Sequence, residues 1–479
     1  MSLLQRDVPR DAFAELSCFR SEFYACLTQR PDALFELSDA LLCSDGPVKT
    51  LVELSLAPEH RRGHGALYGG LNRGRLDVSR LRRALTRLPL PRTAEGRLVL
   101  AVDVSNWLRP DANTSPDRLF CHTYGRGRSS AQMIPGWPYS FVAALEQGRT
   151  SWTAVLDVVR LCPWDDVIAV TAAQVREVFQ RLYVAGQWRI GDPPVLVVVD
   201  AGYDVTRLAF LLADLPVELL GRMRSDRVLY FPPAPQPAGK RGRKPKRGAE
   251  FAFEDAATQP VPSVTTVTET THYGKAVATA WDRLHPLLVR RSAWADYPEG
   301  ELPVIEGTVI RLQVDRLRGE RSPRPVWLWW SATTATAGDV DRLWQAFLRR
   351  FDLEHTFRMF KQTLGWTTPK LREPAAADRW TWLVVAAHTQ LRLARPLAED
   401  LRKPWERPAR QGRLTPARVR RGFRRLHRKA PQPASAPKLT IAGPGRPAGV
   451  KNKHRAREHP VGKQDRPNLA TAITNSKAA

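Results

Sequence analysis

The segment RLVLAVDVSNW, residues 97–107, decides the fold class of this chain. Its apolar run encloses one acid, Asp103, which is typical of a central strand that is buried on both faces. A second run of the same kind, PVLVVVDAGYD at residues 194–204, ends on Asp200. Two buried strands that each carry an acid therefore predict the core of a sheet.

The residues between these two runs predict the remainder of a mixed sheet. Strand patterns at residues 139–145 and 153–159 are separated by EQGRTSW, which favours an antiparallel hairpin. Residues 171–185 have the periodicity of a helix. The predicted fold class is α/β (α+β), a mixed sheet flanked by helices.

Composition and pattern divide the chain into five segments. Apolar positions three and four residues apart predict helices over residues 12–88, with Asp77 as an N-cap. The arginine-rich stretch at 60–85 favours either a helical DNA-binding module or a solvated basic helix face. The predicted segments are a helical N-terminal domain at 1–92, a core in two parts at 93–224 and 326–400, a β-rich insertion with a basic loop at 225–325, and a basic flexible tail at 401–479.

The charge of the chain points to a polyanionic partner. Among 479 residues, 74 Lys and Arg oppose 48 Asp and Glu, a net charge of +26. Residues 401–479 hold 21 basic and three acidic residues, so +18 lies there and +8 in the first 400 residues. Such a charge attracts nucleic acid and releases its counterions. The hydrophobic content of 43% excludes a disordered polycation, and no apolar run of about 18 residues predicts a membrane span.

The cysteines and the first residues carry weaker signals. Cys18, Cys26, Cys43, Cys121 and Cys162 form no CxxC pair and have no histidine at zinc-finger spacing, so neither a zinc site nor a disulfide framework is expected. Residues 1–10 lack the apolar segment of a signal peptide. The expected location is cytoplasmic and associated with the nucleoid.

Three acids are the candidates for chemistry: Asp103, Asp200 and, on a helix predicted over 338–364, Glu354. Carboxylates in apolar strands are costly unless they are paired, hydrogen-bonded or bound to a metal. Three carboxylates brought together repel one another, and Mg²⁺, which favours carboxylate oxygens, water and phosphate, resolves that repulsion. The alternative for either Asp alone is a residue that caps the turn after a strand.

The helix that carries Glu354 contains a spaced set of residues. In QAFLRRFDLEHTFRMFKQTLGW, residues 345–366, Phe347, Arg350 and Lys361 stand at −7, −4 and +7 from Glu354, so all four share one helical face. Basic residues on either side of an acid suit a phosphate substrate held over a metal site. The alternative is an amphipathic helix with an ion-pair ladder of small net value.

VLAVDVSNW, VVVDAGYD and this spaced set resemble the DDE transposases of bacterial insertion sequences, in the branch marked by Y-(2)-R-(3)-E-(6)-K. The resemblance covers about residues 97–397. Phe347 stands where the motif has Tyr, a departure that keeps aromatic packing and removes the hydroxyl.

The resemblance implies a ribonuclease H-like fold with a β-rich insertion between Asp200 and Glu354. It also implies two Mg²⁺ ions, with Mn²⁺ able to substitute, held by Asp103, Asp200 and Glu354. One ion would lower the pKa of the attacking water or DNA 3′-hydroxyl, and the other would stabilise the leaving oxygen. Arg350 and Lys361 would then hold DNA phosphates close to the metals.

The implied activity is cleavage of the ends of an insertion sequence and strand transfer into target DNA. The implied partner is double-stranded DNA, both the terminal inverted repeats of the element and the target. Joining two ends implies at least a homodimer in the synaptic complex, and no membrane partner is expected. Two other hypotheses stay open: a ribonuclease H-like nuclease without strand transfer, and a catalytically inactive DNA-binding or regulatory protein.

Residues close to the motifs carry further predictions. Arg222 and Arg224 follow the predicted strand in LPVELLGRMR and are candidate DNA contacts or ordinary surface arginines. Asp204 is a candidate metal ligand, although a helix cap is favoured. Trp281 is a candidate for stacking on an extruded base, although a core position is favoured.

Two basic segments resemble AT-hooks, which lie along a narrow minor groove. RGRKPKR at 241–247 contains Arg241 and Arg243, and GPGRPAGVKNK at 443–453 contains Arg446. All three arginines are candidate DNA contacts, and a generic phosphate-binding linker is favoured over a true hook for both segments.

Overall fold

The computed structural model is a mixed α+β fold built around a ten-stranded sheet that is flanked by helices, which confirms the predicted fold class. None of the described helices combines the length and apolar character needed to cross a bilayer. The structure describes residues 4–124, 131–148, 150–234, 247–295, 297–316, 323–409, 413–438 and 454–464.

The elements follow one another along the whole chain. The strands are β1 (Leu27–Gln29), β2 (Arg75–Leu76), β3 (Val99–Leu108), β4 (Leu119–Tyr124), β5 (Ala131–Leu145), β6 (Thr153–Arg160), β7 (Val195–Val199), β8 (Val217–Met223), β9 (Val228–Tyr230), β10 (Glu250–Ala252), β11 (Val264–Thr270), β12 (Gly274–Leu284), β13 (Gly307–Val314) and β14 (Val326–Trp330). The helices are α1 (Leu4–Cys26), α2 (Pro31–Cys43), α3 (Leu51–Ser55), α4 (His64–Arg73), α5 (Val78–Arg87), α6 (Val167–Val184), α7 (Val205–Leu211), α8 (Ala337–Arg349), α9 (Phe351–Arg358), α10 (Pro374–Ala394) and α11 (Pro416–His427). Short 3₁₀ turns lie at Ala256–Thr258 and Ser292–Trp294, and a π-helical turn at Met359–Thr363 follows α9.

The central sheet has the strand order β11-β12-β13-β14-β8-β7-β3-β5-β4, and β6 pairs with β5 next to β4. Strands β3, β7 and β8 run parallel, and their neighbours on both sides are antiparallel. All five residues of β7 are buried, as its unbroken apolar run predicts. The pairing of β5 with β6 confirms the predicted hairpin.

The residues of the predicted β-rich insertion, 225–325, lengthen this sheet. Strands β11, β12 and β13 continue it beyond β14, which itself pairs with β8. This pairing gives the edge of β8 a partner, so the backbone groups on that side of β8 are not left open to other chains. The insertion is therefore β-rich, as predicted, and continuous with the core.

The N-terminal helices pack on the later part of the chain. The predicted N-cap is confirmed, because the Asp77 side chain accepts a hydrogen bond from the backbone N–H of Arg80 at 2.9 Å. Arg20 in α1 is fully buried and donates hydrogen bonds of 2.7 Å to Asp39 in α2 and to Gln390 in α10. Apolar residues of α1, α2 and α10 belong to one cluster, so these helices share a core.

The prediction of a flexible tail over 401–479 needs correction at residues 413–438. Helix α11 lies there, with Val419, Arg420 and Phe423 buried, and Arg420 donates to the carbonyl of Leu41 at 2.9 Å. Four further arginines of this segment pair with acids inside the chain, which are Arg418 with Asp400, Arg421 with Glu406, Arg424 with Glu59 and Arg425 with Glu399. Residues 439–453 and 465–479 lie outside the described part.

The packing of α11 makes a prediction about stability. Phe423→Ala removes a fully buried ring and should lower the free energy of unfolding by about 3 kcal/mol, as large-to-small core changes do. The matched control is Trp405→Ala, whose 77% exposed ring should change stability by less than about 0.5 kcal/mol. Urea denaturation measures the free energy of unfolding of both variants. Equal stability of the two would contradict the packing of α11 and support a flexible tail.

Candidate active site

The register of two parallel strands places the first two predicted acids side by side. Ala101 of β3 pairs with Val198 of β7, and Asp103 and Asp200 follow each of these residues by two. Because alternate residues of a strand share a face, both acids lie on the face to which Ala101 and Val198 contribute. Helices α8 and α9 pack against that same face, since α8 contacts β7 and α9 contacts β3.

The third acid, Glu354, is joined to the two strand acids by a shared contact with a buried arginine. Arg350 lies between α8 and α9, and its guanidinium contacts all three predicted acids. The distances are 3.0 Å from Nη1 to Asp103 Oδ2, 3.2 Å from Nη2 to Asp200 Oδ2 and 3.5 Å from Nη2 to Glu354 Oε1. The structure therefore brings together residues that lie up to 251 positions apart in sequence, Asp103 and Glu354 being the extremes.

The exposure of these side chains shows which end of the site is buried and which faces solvent. Exposed fractions rise from 3% for Arg350 through 20% for Asp103 and 34% for Asp200 to 51% for Glu354. Arg350 thus forms the floor, and Glu354 lies on the side that faces solvent. Three carboxylates around one guanidinium leave a local charge of −2 when all are ionised, which suits a divalent cation.

Asp103 has a perturbed acidity. Burial raises the pKa of Asp103 to about 6, and the charges of Asp200 and Glu354 also raise it. Arg350 and the backbone N–H of Val104, which donates to Asp103 Oδ1 at 2.8 Å, act in the opposite direction. Desolvation is therefore the dominant cause, and a bound cation would offset it.

Two aromatic rings support the buried guanidinium. The Arg350 carbon Cζ lies 5.7 Å from the ring centroid of Phe347 and 5.1 Å from that of Phe351. Phe347 is the residue that departs from the Tyr of the motif, and its ring keeps the contact without a hydroxyl. Cation–π attraction at this distance helps to hold the guanidinium in place.

Lys361 lies in the π-helical turn that follows α9, with its ammonium 5.8 Å from the ring centroid of Trp366. Burial lowers the pKa of Lys361, and the negative charges of Cys121, when ionised, and Asp103 oppose that change. Gly365 ends the turn with φ +65°, a conformation that glycine adopts without strain. Of the three acids, Asp103 is therefore the one whose charge acts on Lys361.

Arg222 and Arg224 differ in their relation to the acids. Gly221 of β8 pairs with Val199 of β7, so Arg222 is level with Asp200 and shares the face of the sheet to which Leu220 contributes. Arg222 is exposed there. Arg224 lies beyond the strand and forms an ion pair with Asp226 at 2.5 Å. Of the two arginines, Arg222 is the one that lies level with Asp200.

The favoured alternatives for two neighbouring residues are confirmed. The Asp204 side chain caps α7, since it accepts from the backbone N–H of Arg207 at 3.0 Å. Trp281 is buried and donates its indole N–H to the carbonyl of Pro260 at 2.7 Å, as a core residue does. Arg241, Arg243 and Arg446, the candidate contacts in the basic segments, lie outside the described residues.

Sequence reasoning assigned no role to Tyr203, which lies three residues after Asp200 and is buried. Burial raises the pKa of its phenol, and the nearby charges of Asp103 and Asp200 raise it further. Tyr203 packs in the apolar cluster on the other face of the sheet, and its phenol is near enough to both strand acids for their charges to act on it. Its position in VVVDAGYD was the available signal.

The donor set fits a divalent metal. Asp200 Oδ1 is buried and has no hydrogen-bond partner in the described part of the chain. An unpaired carboxylate oxygen in such a place is costly unless a cation or water reaches it. The neighbouring oxygens of Asp103 and Glu354 are ligands of the kind that Mg²⁺ prefers.

Residues 22–287 match a family model described as DDE superfamily endonuclease. The match covers more than half of the chain. The protein belongs to the DDE superfamily endonucleases. A search of curated proteins found no match. The family match includes Asp103 and Asp200 and ends before Glu354, so the assignment of the third acid depends on its contact with Arg350.

Membership in the DDE superfamily endonucleases implies DNA as the substrate and a divalent metal as the usual cofactor. Asp103 within β3, Asp200 directly after β7 and Glu354 on α9 form a group of carboxylates around Arg350 whose chemistry fits such a cofactor.

The acidity of Asp103 makes a prediction about the metal-free protein. Well below the ordinary aspartate pKa of 3.8, this carboxyl is protonated in the folded and the unfolded chain alike. As the pH rises to about 6, the unfolded chain loses the proton first, so ionisation of Asp103 costs stability. Asp103→Asn should therefore stabilise the metal-free protein at pH 8 by ~1–3 kcal/mol and have a smaller effect near pH 4.

Chemical denaturation in the presence of a chelator, at both pH values, measures this difference. The control is Asp226→Asn at an exposed position, which should show no such pH dependence. A loss of stability at pH 8 in Asp103→Asn would contradict the buried, perturbed carboxyl.

Proposed function

We propose that this DDE superfamily endonuclease is a DNA transposase that cleaves the ends of an insertion sequence and joins them to target DNA. The observation that supports the proposal is the convergence of Asp103, Asp200 and Glu354 on one buried arginine. Arg350 at −4 and Lys361 at +7 from Glu354 match the spaced motif of insertion-sequence transposases. The proposal assigns the three acids to catalysis and metal binding.

Each side chain then has a role that its position suits. Glu354 and Asp200, the more exposed acids, face the side from which a DNA phosphate can approach. Arg350 is a positioning residue, because its nitrogens already contact the carboxylates and fix their spacing. Lys361, whose pKa is lowered by burial, would contribute positive charge near the reacting phosphate. A direct phosphate contact from Arg350 stays a prediction.

Two Mg²⁺ ions held by Asp103, Asp200 and Glu354 would lower the pKa of the attacking water or 3′-hydroxyl and stabilise the leaving oxygen. The strand register keeps Asp103 and Asp200 level, so the protein supplies the spacing of the ligands before the metal binds. Transfer of two element ends requires two copies of the site, so the proposed active form is a homodimer on DNA.

Cleavage of the element's own ends tests this proposal. Purified protein, incubated with Mg²⁺ and DNA that carries the inverted repeats flanking its gene, should release 3′-hydroxyl ends. Asp103→Asn, Asp200→Asn and Glu354→Gln should each lower the cleavage rate by at least about 10³-fold, because each removes a ligand or a charge at the reacting centre. The joining of released ends to a second DNA separates a transposase from a nuclease.

The control is Glu254→Gln, at an exposed position on the β-rich side of the chain, which should cleave at the wild-type rate. If any of the three acid variants cleaved at the wild-type rate, the assignment of that acid to the catalytic site would be wrong. Cleavage without joined products would contradict the proposed strand transfer, and the protein would then be an endonuclease alone.

The position of Arg222 makes a separate prediction about DNA binding. Arg222→Ala should weaken binding of the end DNA several-fold and reduce the salt dependence of binding by about one ion, as loss of one phosphate contact does. Arg189→Ala is the matched control, because Arg189 is exposed on the segment that precedes β7, at the opposite edge of the sheet from Asp200. Fluorescence anisotropy at several salt concentrations measures the DNA affinity of both variants. Equal effects of the two substitutions would contradict a DNA contact at Arg222.

A further inference from the structure

Three potential metal ligands from distant parts of the sequence, none of them a residue of the site around Arg350, meet in the fold. Cys43 is the last residue of α2, Glu59 lies between α3 and α4, and His427 is the last residue of α11. One ligand atom from each, the thiol sulfur, a carboxylate oxygen and a ring nitrogen, lies within 4.8 Å of the other two. The spacing of the cysteines in the sequence gave no reason to expect such a cluster.

The chemistry of these three ligands is that of a zinc site. Zn²⁺ binds thiolate sulfur, imidazole nitrogen and carboxylate oxygen, and three protein ligands leave a fourth tetrahedral position for water. Neighbouring ligand atoms around a tetrahedral zinc lie about 3.5 Å apart, given bond lengths of about 2.0–2.3 Å. Atoms already within 4.8 Å of one another need only small side-chain movements to reach that spacing.

The burial of Glu59 is a second, independent observation that points to a cation ligand. Its side chain is 7% exposed, and its Oε2 is buried without a hydrogen-bond partner in the described residues. The other oxygen, Oε1, accepts from Arg424 Nε at 2.9 Å. A buried carboxylate oxygen that has no partner is costly, and a metal ion bound there would remove that cost.

The groups around the cluster are compatible with a metal. Asp39 Oδ2 lies 3.0 Å from His427 Nε2, and a carboxylate on the ring is the usual arrangement that orients a metal-binding histidine. Asp39 is itself paired with Arg20 at 2.7 Å, so it is charged and held in place. Asp45 lies 3.6 Å from Arg424 and balances that cation.

Cys43 is a buried thiol in the absence of a metal. Burial raises its pKa, and the charge of Glu59 raises it further. Metal binding would displace the thiol proton to solvent and form a sulfur–metal bond, with no change of oxidation state. A surface cleft of about 240 Å³, lined in part by Asp45, Ala57 and Arg424, lies next to this region, since Arg424 also contacts Glu59.

We propose that Cys43, Glu59 and His427 bind one Zn²⁺ ion that fastens helix α11 to the N-terminal helices. The ion would join three segments that are otherwise held by apolar packing and by the pairing of arginines with acids. The site is independent of the strand acids and of the proposed transposition. Its role is to hold the arginine-rich C-terminal helix in place against α2.

Cobalt is the probe that reports on this site directly. Full-length protein, freed of metal by a chelator and titrated with Co²⁺ under reducing conditions, should develop a thiolate-to-cobalt charge-transfer band that saturates at one equivalent, and Zn²⁺ should displace it. Glu59→Gln, which keeps an acceptor for Arg424, should weaken Co²⁺ affinity by about tenfold or more. Cys43→Ser should abolish the band.

Cys26→Ser is the matched control, because Cys26 is also a buried free cysteine of the N-terminal helices and lies outside the cluster. It should keep the band and the affinity of the wild-type protein. Hydrogen exchange in residues 416–427 should also slow when Zn²⁺ is added to wild-type protein and stay unchanged in Glu59→Gln. Absence of the band in wild-type protein, or an undiminished band in Cys43→Ser, would overturn the proposal.

Discussion

The arrangement of the site depends on the ion pairs that the buried guanidinium of Arg350 makes with three carboxylates. Three carboxylates within 3.5 Å of its nitrogens would repel one another strongly without it, because a low local dielectric strengthens like-charge repulsion. The parallel register of β3 and β7 and the junction of α8 with α9 serve the same geometry, since they bring strand acids and a helix acid to one cation. Arg350 neutralises only one of the three negative charges, so the remaining charge of the ionised carboxylates favours a divalent cation.

Much of the fold could be predicted from local pattern, because strands buried on both faces have unbroken apolar runs and helices have their own period. Strands β3 and β7, the hairpin of β5 with β6 and the cap at Asp77 are confirmed in this way. The tail was misjudged over α11, since its few apolar residues, Val419 and Phe423 among them, are buried by partners distant in sequence. Composition counts charges, and it does not show which arginines have acids beside them.

The predicted acids of the site were recognisable because each stands in a distinctive local context: Asp103 inside one apolar strand, Asp200 directly after another, and Glu354 within a spaced basic motif. Their meeting at Arg350 is a property of the tertiary structure, and so is the level position of Arg222. The cluster of Cys43, Glu59 and His427 shows the limit of such reasoning. Its members come from three segments with no motif between them, so only the packing of α11 on α2 reveals it.

The central claim is that Asp103, Asp200 and Glu354 surround one metal site. Iron-mediated cleavage of the polypeptide tests it most directly. With added hydrogen peroxide and ascorbate, Fe²⁺ bound in place of Mg²⁺ reduces the peroxide to hydroxyl radicals, which cut the backbone close to the metal ligands. The account predicts cuts near residues 103, 200 and 354 that disappear together when Mg²⁺ is added in excess. Cuts at one or two of these positions, or cuts that Mg²⁺ does not suppress, would contradict it.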